Sequence, residues 1–114
     1  MNLTAIAEEE TEAVLCKLPE DLQEAARDCH VNLEPFQDEE EDDLLGLFEG
    51  LDRMSAPSPH PDDWPRITLF LENLWEESGR NERAFREEVR VTYLHELGHY
   101  LGLDEGAVAA LGLR

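Results

Sequence analysis

The chain has 114 residues with 41% hydrophobic content, the size of one small domain that can bury about two thirds of its unfolded surface without disulfide staples. Its 28 acidic against 9 basic residues leave a net charge of −19, which argues against nucleic-acid binding and against docking on anionic membrane, since both need basic surface. No apolar run approaches the ~18 residues of a membrane span, and Met1 to Ala7 lacks the basic region of a secretory signal; the expected location is the cytoplasm.

The acidity is uneven: residues 1–52 hold 17 acids and 2 bases, residues 53–114 hold 11 acids and 7 bases. Its plain meaning is solubility, and its sharper one a preference for basic substrates. Thr4 to Lys17 reads as a helix with Ile6, Val14, Leu15 and Leu18 apolar. Pro19, at a favoured first position, opens a second short helix to Asp28 with Leu22, Ala25 and Ala26 on its apolar side. Cys16 and Cys29 have no partners at zinc-finger spacing and are expected reduced and partly buried. From His30 to Phe36 the pattern alternates as in a half-buried strand, and Pro35 marks an edge or an end. Six consecutive acids, Asp38 to Asp43, read as a solvated loop without EF-hand spacing.

Leu44 to Gly50 is expected to be a buried strand, with Gly50 opening a turn. Met54 to Pro65 holds four of the six prolines and is expected to be an irregular loop lying over the functional site. Arg66 to Leu71 is the third strand, and Leu71 to Ser78 a helical turn or two that packs Leu74 and Trp75. Asn81 caps a long helix to about Leu101. Its apolar face is Phe85, Val89, Leu94, Leu97 and Leu101, while Arg83, Arg86, Glu87 and Arg90 are mostly solvated. A last helix covers about Glu105 to Leu111. The fold class is α+β: a small sheet of three to four strands packed against the long helix, as one domain over residues 1–114.

The long helix ends in His95-Glu96-Leu97-Gly98-His99-Tyr100-Leu101-Gly102-Leu103-Asp104-Glu105, an H-E-x-x-H-x-x-G pattern followed by two acids. Residues four apart share one helix face. His95 and His99 therefore aim one nitrogen each at a common point, which suits zinc as cofactor. Glu96 is rotated about 100° from His95, toward the open side of the metal, where it serves as a proton acceptor from water rather than as a ligand. Gly102 permits the left-handed turn that ends the helix and brings Asp104 or Glu105 back toward the metal.

A catalytic zinc site needs a third protein ligand. Only 15 residues follow His99, too few for a ligand from a second distant helix, and they contain no His or Cys and two acids. The choice falls on Glu105 or Asp104, unless His30 or His60 reaches in from upstream. Asp104 precedes a helical stretch, and an N-cap role would occupy its carboxylate; Glu105 is favoured. His30 and His60 otherwise read as exposed histidines. Tyr100 carries a phenol able to steady an oxyanion, yet its place between His99 and Leu101 favours packing.

At these residues the chain resembles the minimal zincin-like bacterial metallopeptidase family. The resemblance extends to Leu18-Pro19-Glu20-Asp21, Leu44-Leu45-Gly46-Leu47-Phe48-Glu49-Gly50, Pro65-Arg66-Ile67-Thr68-Leu69-Phe70 and Glu87-Glu88-Val89-Arg90, in family order over nearly the whole chain. It implies a minimal zincin fold, zinc held by His95 and His99, Glu96 as catalytic base, and a peptide or protein substrate. Glu105 stands ten residues after His95, where metzincin-type sites place their third ligand. The family often has Asp at this place, so the longer Glu is a departure. Both Met1 and Met54 lie upstream of the motif, which excludes a methionine turn beneath the metal. The expected function is zinc-dependent peptide hydrolysis; the alternative is a non-catalytic binding or regulatory module that zinc merely stabilises.

Overall fold

Asn2 opens the first helix, its side chain accepting from the Ala5 N–H at 3.1 Å. The structure, a computed structural model, describes residues 2–35 and 44–111; the acidic run Asp38–Asp43 and Phe36 lie outside the described residues. Helix α1 (Leu3–Lys17) buries Ile6, Ala7, Val14 and Leu15. Helix α2 covers Glu20–Arg27, with Pro19 standing just before it at ψ 146° rather than inside its first turn. The two are tied by Gln23 Nε2, which donates to the Leu15 carbonyl at 2.7 Å. The same carbonyl accepts from the Leu18 N–H at 3.2 Å, so both bonds close the end of α1.

The sheet has three strands among the described residues: β1 (His30–Glu34), β2 (Gly46–Glu49) and β3 (Arg66–Phe70). Their order is β1-β3-β2. β3 pairs parallel with β1, His30 opposite Arg66, and antiparallel with β2, Gly46 opposite Leu69. The central strand is the one with a nearly continuous apolar run; Ile67, Thr68, Leu69 and Phe70 are all buried. β2 is shorter than the expected Leu44–Gly50 strand and half-buried rather than buried; among the described residues it pairs on one side only.

Between β2 and β3 the expected irregular loop contains one turn of 3₁₀ helix, Pro61–Asp63. Proline at its first position starts such a turn without losing a bond, and the Trp64 N–H closes it on the Pro61 carbonyl at 3.1 Å. Helix α3 (Leu71–Glu77) follows β3 directly and buries Leu71 and Leu74.

Helix α4 (Glu82–Leu101) runs 20 residues from Asn81, whose side chain accepts from the Ala84 N–H at 3.0 Å. It packs against α1, α2, α3, β2, β3 and the last helix, α5 (Glu105–Ala110). Its expected apolar face is buried throughout, joined by Tyr93 and Tyr100. Trp75 meets Phe85 edge to face at 5.7 Å. Burial pushes the Tyr93 phenol well above its ordinary value, and its hydroxyl has no hydrogen-bond partner among the described residues.

Two expectations about surface residues are corrected. Arg86 and Arg90 are not simply solvated: Arg86 Nη1 meets Glu9 at 2.9 Å and Arg90 Nη1 meets Glu10 at 2.7 Å, joining α4 to α1. Periodicity on one helix carries no information about acids on another. Cys29 is buried, as a small apolar side chain fits between α2 and β1, and burial pushes its thiol up to about 12. Cys16 is exposed instead of partly buried; it follows Leu15 on α1 and faces Glu12, to which its Sγ donates at 3.4 Å.

Candidate functional site

The buried stripe of α4 leaves His95 and His99 on its solvent side, one turn apart. Leu97, Gly98, Tyr100 and Leu101 between and beyond them are all buried, so packing fixes the direction in which the imidazoles stand. Their ring centroids are 5.0 Å apart and nearly perpendicular, and both side chains remain open to solvent.

Glu96 is treated differently. Its side chain is 13% exposed against 56% for His99, and its Oε1 stands 3.8 Å from His99 Nε2. The cause is the close approach of β2. A Cβ added at Gly46 would lie 2.7 Å from Thr92 Cγ2 and 3.3 Å from Glu96 Cγ, so only glycine lets the strand come this near. The result is a groove of about 540 Å³ lined by Gly46, Leu47, Leu51 and Asp52 together with Glu96 and His99.

On the other side of the imidazole pair, α4 ends at Gly102, in the left-handed conformation at φ 74°. The chain reverses there, and the Leu103 N–H bonds the Gly98 carbonyl at 2.9 Å. Helix α5 then packs back onto α4 at Gly98, where a Cβ would stand 2.9 Å from Val108 Cγ2. This return places Glu105 Oε1 3.8 Å from His95 Nδ1, with the Glu105 side chain 82% exposed. Asp104 caps α5, its Oδ1 accepting from the Ala107 N–H at 2.7 Å, so one of its carboxylate oxygens is occupied. A second hollow of about 360 Å³ is bordered by both imidazoles, Leu103, Asp104, Glu105 and Val108.

His95, Glu96, His99 and Glu105 are thus brought into one neighbourhood, with Glu96 beside His99 and Glu105 beside His95. Among the described residues, no three His, Cys, Asp or Glu side chains stand converged as a ready metal cage. The donor chemistry nevertheless fits zinc: two imidazoles and a carboxylate are ligands that this borderline-soft ion takes. His30 and His60 are exposed. Tyr100 is 7% exposed and packs its ring 6.1 Å from that of Phe48, and burial raises its phenol; it serves the core.

Three positions that shape the site have no evident motif of their own. Gly46 and Gly98 are the close-approach points just described. A glycine inside a helix costs about 1 kcal/mol against alanine, so Gly98 within α4 was a signal of tight packing. Arg53 pins the loop after β2 to the end of α4: its N–H donates to the Tyr100 carbonyl at 2.9 Å and its Nε to the Leu101 carbonyl at 3.0 Å. A cation there also suits the negative end of the helix. Of the loop expected to lie over the site, Met54 to Pro65, only Ser55 lines the groove, beside Leu51 and Asp52 that precede it; the loop borders the site at its start.

Among the described residues no helix is long and apolar enough to cross a membrane. No curated protein matches the chain. The profile of the zincin-like metallopeptidases matches residues 21–113, which takes in β1 to β3, the groove, the H-E-x-x-H helix and the return through Glu105. On that match the chain belongs to the zincin-like metallopeptidase family.

Proposed function

We propose that the protein is a zinc-dependent peptidase in which His95 and His99 hold the metal, Glu105 completes the ligand set and Glu96 is the general base. The observation that carries this reading is the contrast in exposure within the motif: the imidazoles stand open while Glu96 is tucked into the groove beside His99. A purely structural site has no use for a carboxylate held there. Asp104 is the less suitable third ligand because one of its oxygens is engaged as a cap.

Zinc, when bound, supplies Lewis acidity that polarises the scissile carbonyl and makes water a better nucleophile at neutral pH. Glu96 accepts a proton from the attacking water and returns it to the leaving amine nitrogen. Its low exposure keeps bulk water from competing for that carboxylate. Among the described residues β2 pairs on one side only, so an extended peptide can add along its other side through main-chain hydrogen bonds. The groove is then occupied by the peptide between β2 and the end of α4.

The test joins metal analysis to a digest of a diverse peptide library. Wild type loaded with one zinc per chain should cleave. Glu96→Gln should keep the fold and the metal and lose at least about 10²-fold in rate, the usual scale for a general base. Cleavage that persists in this variant would refute the assignment of Glu96. A second reading, a zinc-stabilised binding module, draws on the openness of Glu105 and the lack of a converged cage among the described residues. Full zinc occupancy without any cleavage by wild type would favour it.

A further inference from the structure

One wall of the groove has chemistry that general base catalysis does not use. Asp52 follows β2 and lines the groove with Leu47, Leu51 and Ser55. Its Oδ1 accepts from the Met54 N–H, the Ser55 N–H and the Ser55 hydroxyl, each at 3.0 Å. Those bonds immobilise the carboxylate through one oxygen, and Oδ2 accepts no hydrogen bond among the described residues. The neighbouring cation is turned away, since Arg53 is engaged with the carbonyls at the end of α4. Among the described residues no Lys or Arg lines the groove.

A fixed carboxylate beside an apolar surface is a receptor for a side chain with an aliphatic stem and a charged head. Lysine and arginine have that form: the stem covers apolar surface while the head reaches the acid. Here Leu51, 37% exposed, and Leu47 offer the apolar surface. The net charge of −19 draws cationic peptides from a distance, but a diffuse field cannot choose one residue in an extended chain. A carboxylate held rigidly in the groove wall can.

We infer that Asp52 is the specificity-determining residue of this groove, and that the substrates are extended peptides carrying a lysine or arginine that it receives. The inference rests on the peptidase reading for its word substrate, though binding alone also reveals the preference. Asp52→Asn is the informative variant, because Asn keeps the Oδ1 acceptor that organises the turn and removes only the charge. Glu49→Gln is the control. Glu49 is the last residue of β2 and is paired with Arg66 at 3.3 Å, so this variant lowers the acidity by the same amount without touching the groove wall.

Two measurements are made with zinc-loaded full-length protein. Cleavage rates of a lysine-containing peptide set and its norleucine-matched counterpart are compared in wild type, Asp52→Asn and Glu49→Gln. Equilibrium binding of the same peptides is compared in a Glu96→Gln background, which does not turn over, so the missing Glu96 charge is common to all arms. The lysine peptides should be preferred about fivefold, as expected for a half-buried charge pair, and the preference should shrink with added salt. Asp52→Asn should bring the lysine peptides down to the level of the norleucine peptides measured with the same variant, while Glu49→Gln keeps the preference. Preferential binding that depends on Asp52, without any cleavage in wild type, would uphold the receptor and sink the peptidase reading. Cleavage with no lysine preference, with a preference that survives Asp52→Asn, or with one lost equally in Glu49→Gln, would overturn the inference and leave the peptidase standing. Neither binding nor cleavage would overturn both.

Discussion

The two ends of α4 are built for opposite purposes. Its first half, from Glu82 to about Tyr93, is anchored on several sides: Phe85, Val89 and Tyr93 are fully buried, and Arg86 and Arg90 grip α1 through Glu9 and Glu10. Its last two turns bury Leu97, Gly98, Tyr100 and Leu101 along one stripe and leave both imidazoles open. A single element therefore carries much of the buried core at one end and the proposed metal-binding imidazoles at the other. The difference explains how a chain this small can hold exposed polar groups in register: the imidazoles make few contacts of their own and inherit their positions from the packing upstream.

The strongest way to break that comparison is to damage the anchored end. Phe85→Ala removes a fully buried ring in contact with Trp75, and should cost about 3–5 kcal/mol of stability. Chemical denaturation measures the loss, and zinc bound by the fraction still folded should stay near one per chain. Weaker zinc in that folded fraction would mean that the two ends are not separable.

Gly98→Ala tests the joint between the ends. The added methyl meets Val108 at 2.9 Å, and overpacking of this kind costs about 1–3 kcal/mol. Here the stability loss should come with weaker zinc, because pushing α5 away carries Glu105 with it. A loss of stability with unchanged zinc affinity would remove Glu105 from the ligand set.

Asp104→Ala and Glu105→Ala sharpen the same point. Loss of the Asp104 cap should cost about 1 kcal/mol and spare most of the metal. Glu105→Ala should do the reverse, since an 82% exposed side chain contributes little to folding while its loss weakens zinc markedly. Thermal melts and metal titrations, run on both variants, separate the two roles; the opposite ranking for zinc would make Asp104 the ligand.

The smallest effect on folding belongs to the imidazoles themselves. His95→Ala or His99→Ala should leave the stability of the metal-free protein within about 0.5 kcal/mol and still abolish most zinc binding. A large loss of metal-free stability would show that the histidines help to build the fold rather than merely stand on it.

Much of this was readable in the chain. The elements fall close to their expected places because local signals are strong: Asn81 before the long helix, Gly102 after it, the prolines at 19 and 57 to 65, and an apolar period of a helix from Phe85 to Leu101. The motif could be read for the same reason, since residues one turn apart on a helix share a face whatever surrounds them. The larger departures are non-local. The partners of Arg86 and Arg90 are some 80 positions away. Which of the later strands is central depended on what covered it, and among the described residues β2 lies at an edge.

The sequence by itself determined the helix that carries His95, Glu96 and His99, the turn that ends it, and the capping role open to Asp104, because each depends on backbone geometry over a few residues. Only the tertiary structure decided that β2 comes against Glu96 through Gly46 and that α5 settles on Gly98. It also decided that Arg53 ties the loop bearing Asp52 to the helix end. These are contacts between segments distant along the chain: the first two depend on a glycine in one surface leaving room for the side chains of the other, and the third on hydrogen bonds to the last carbonyls of the helix.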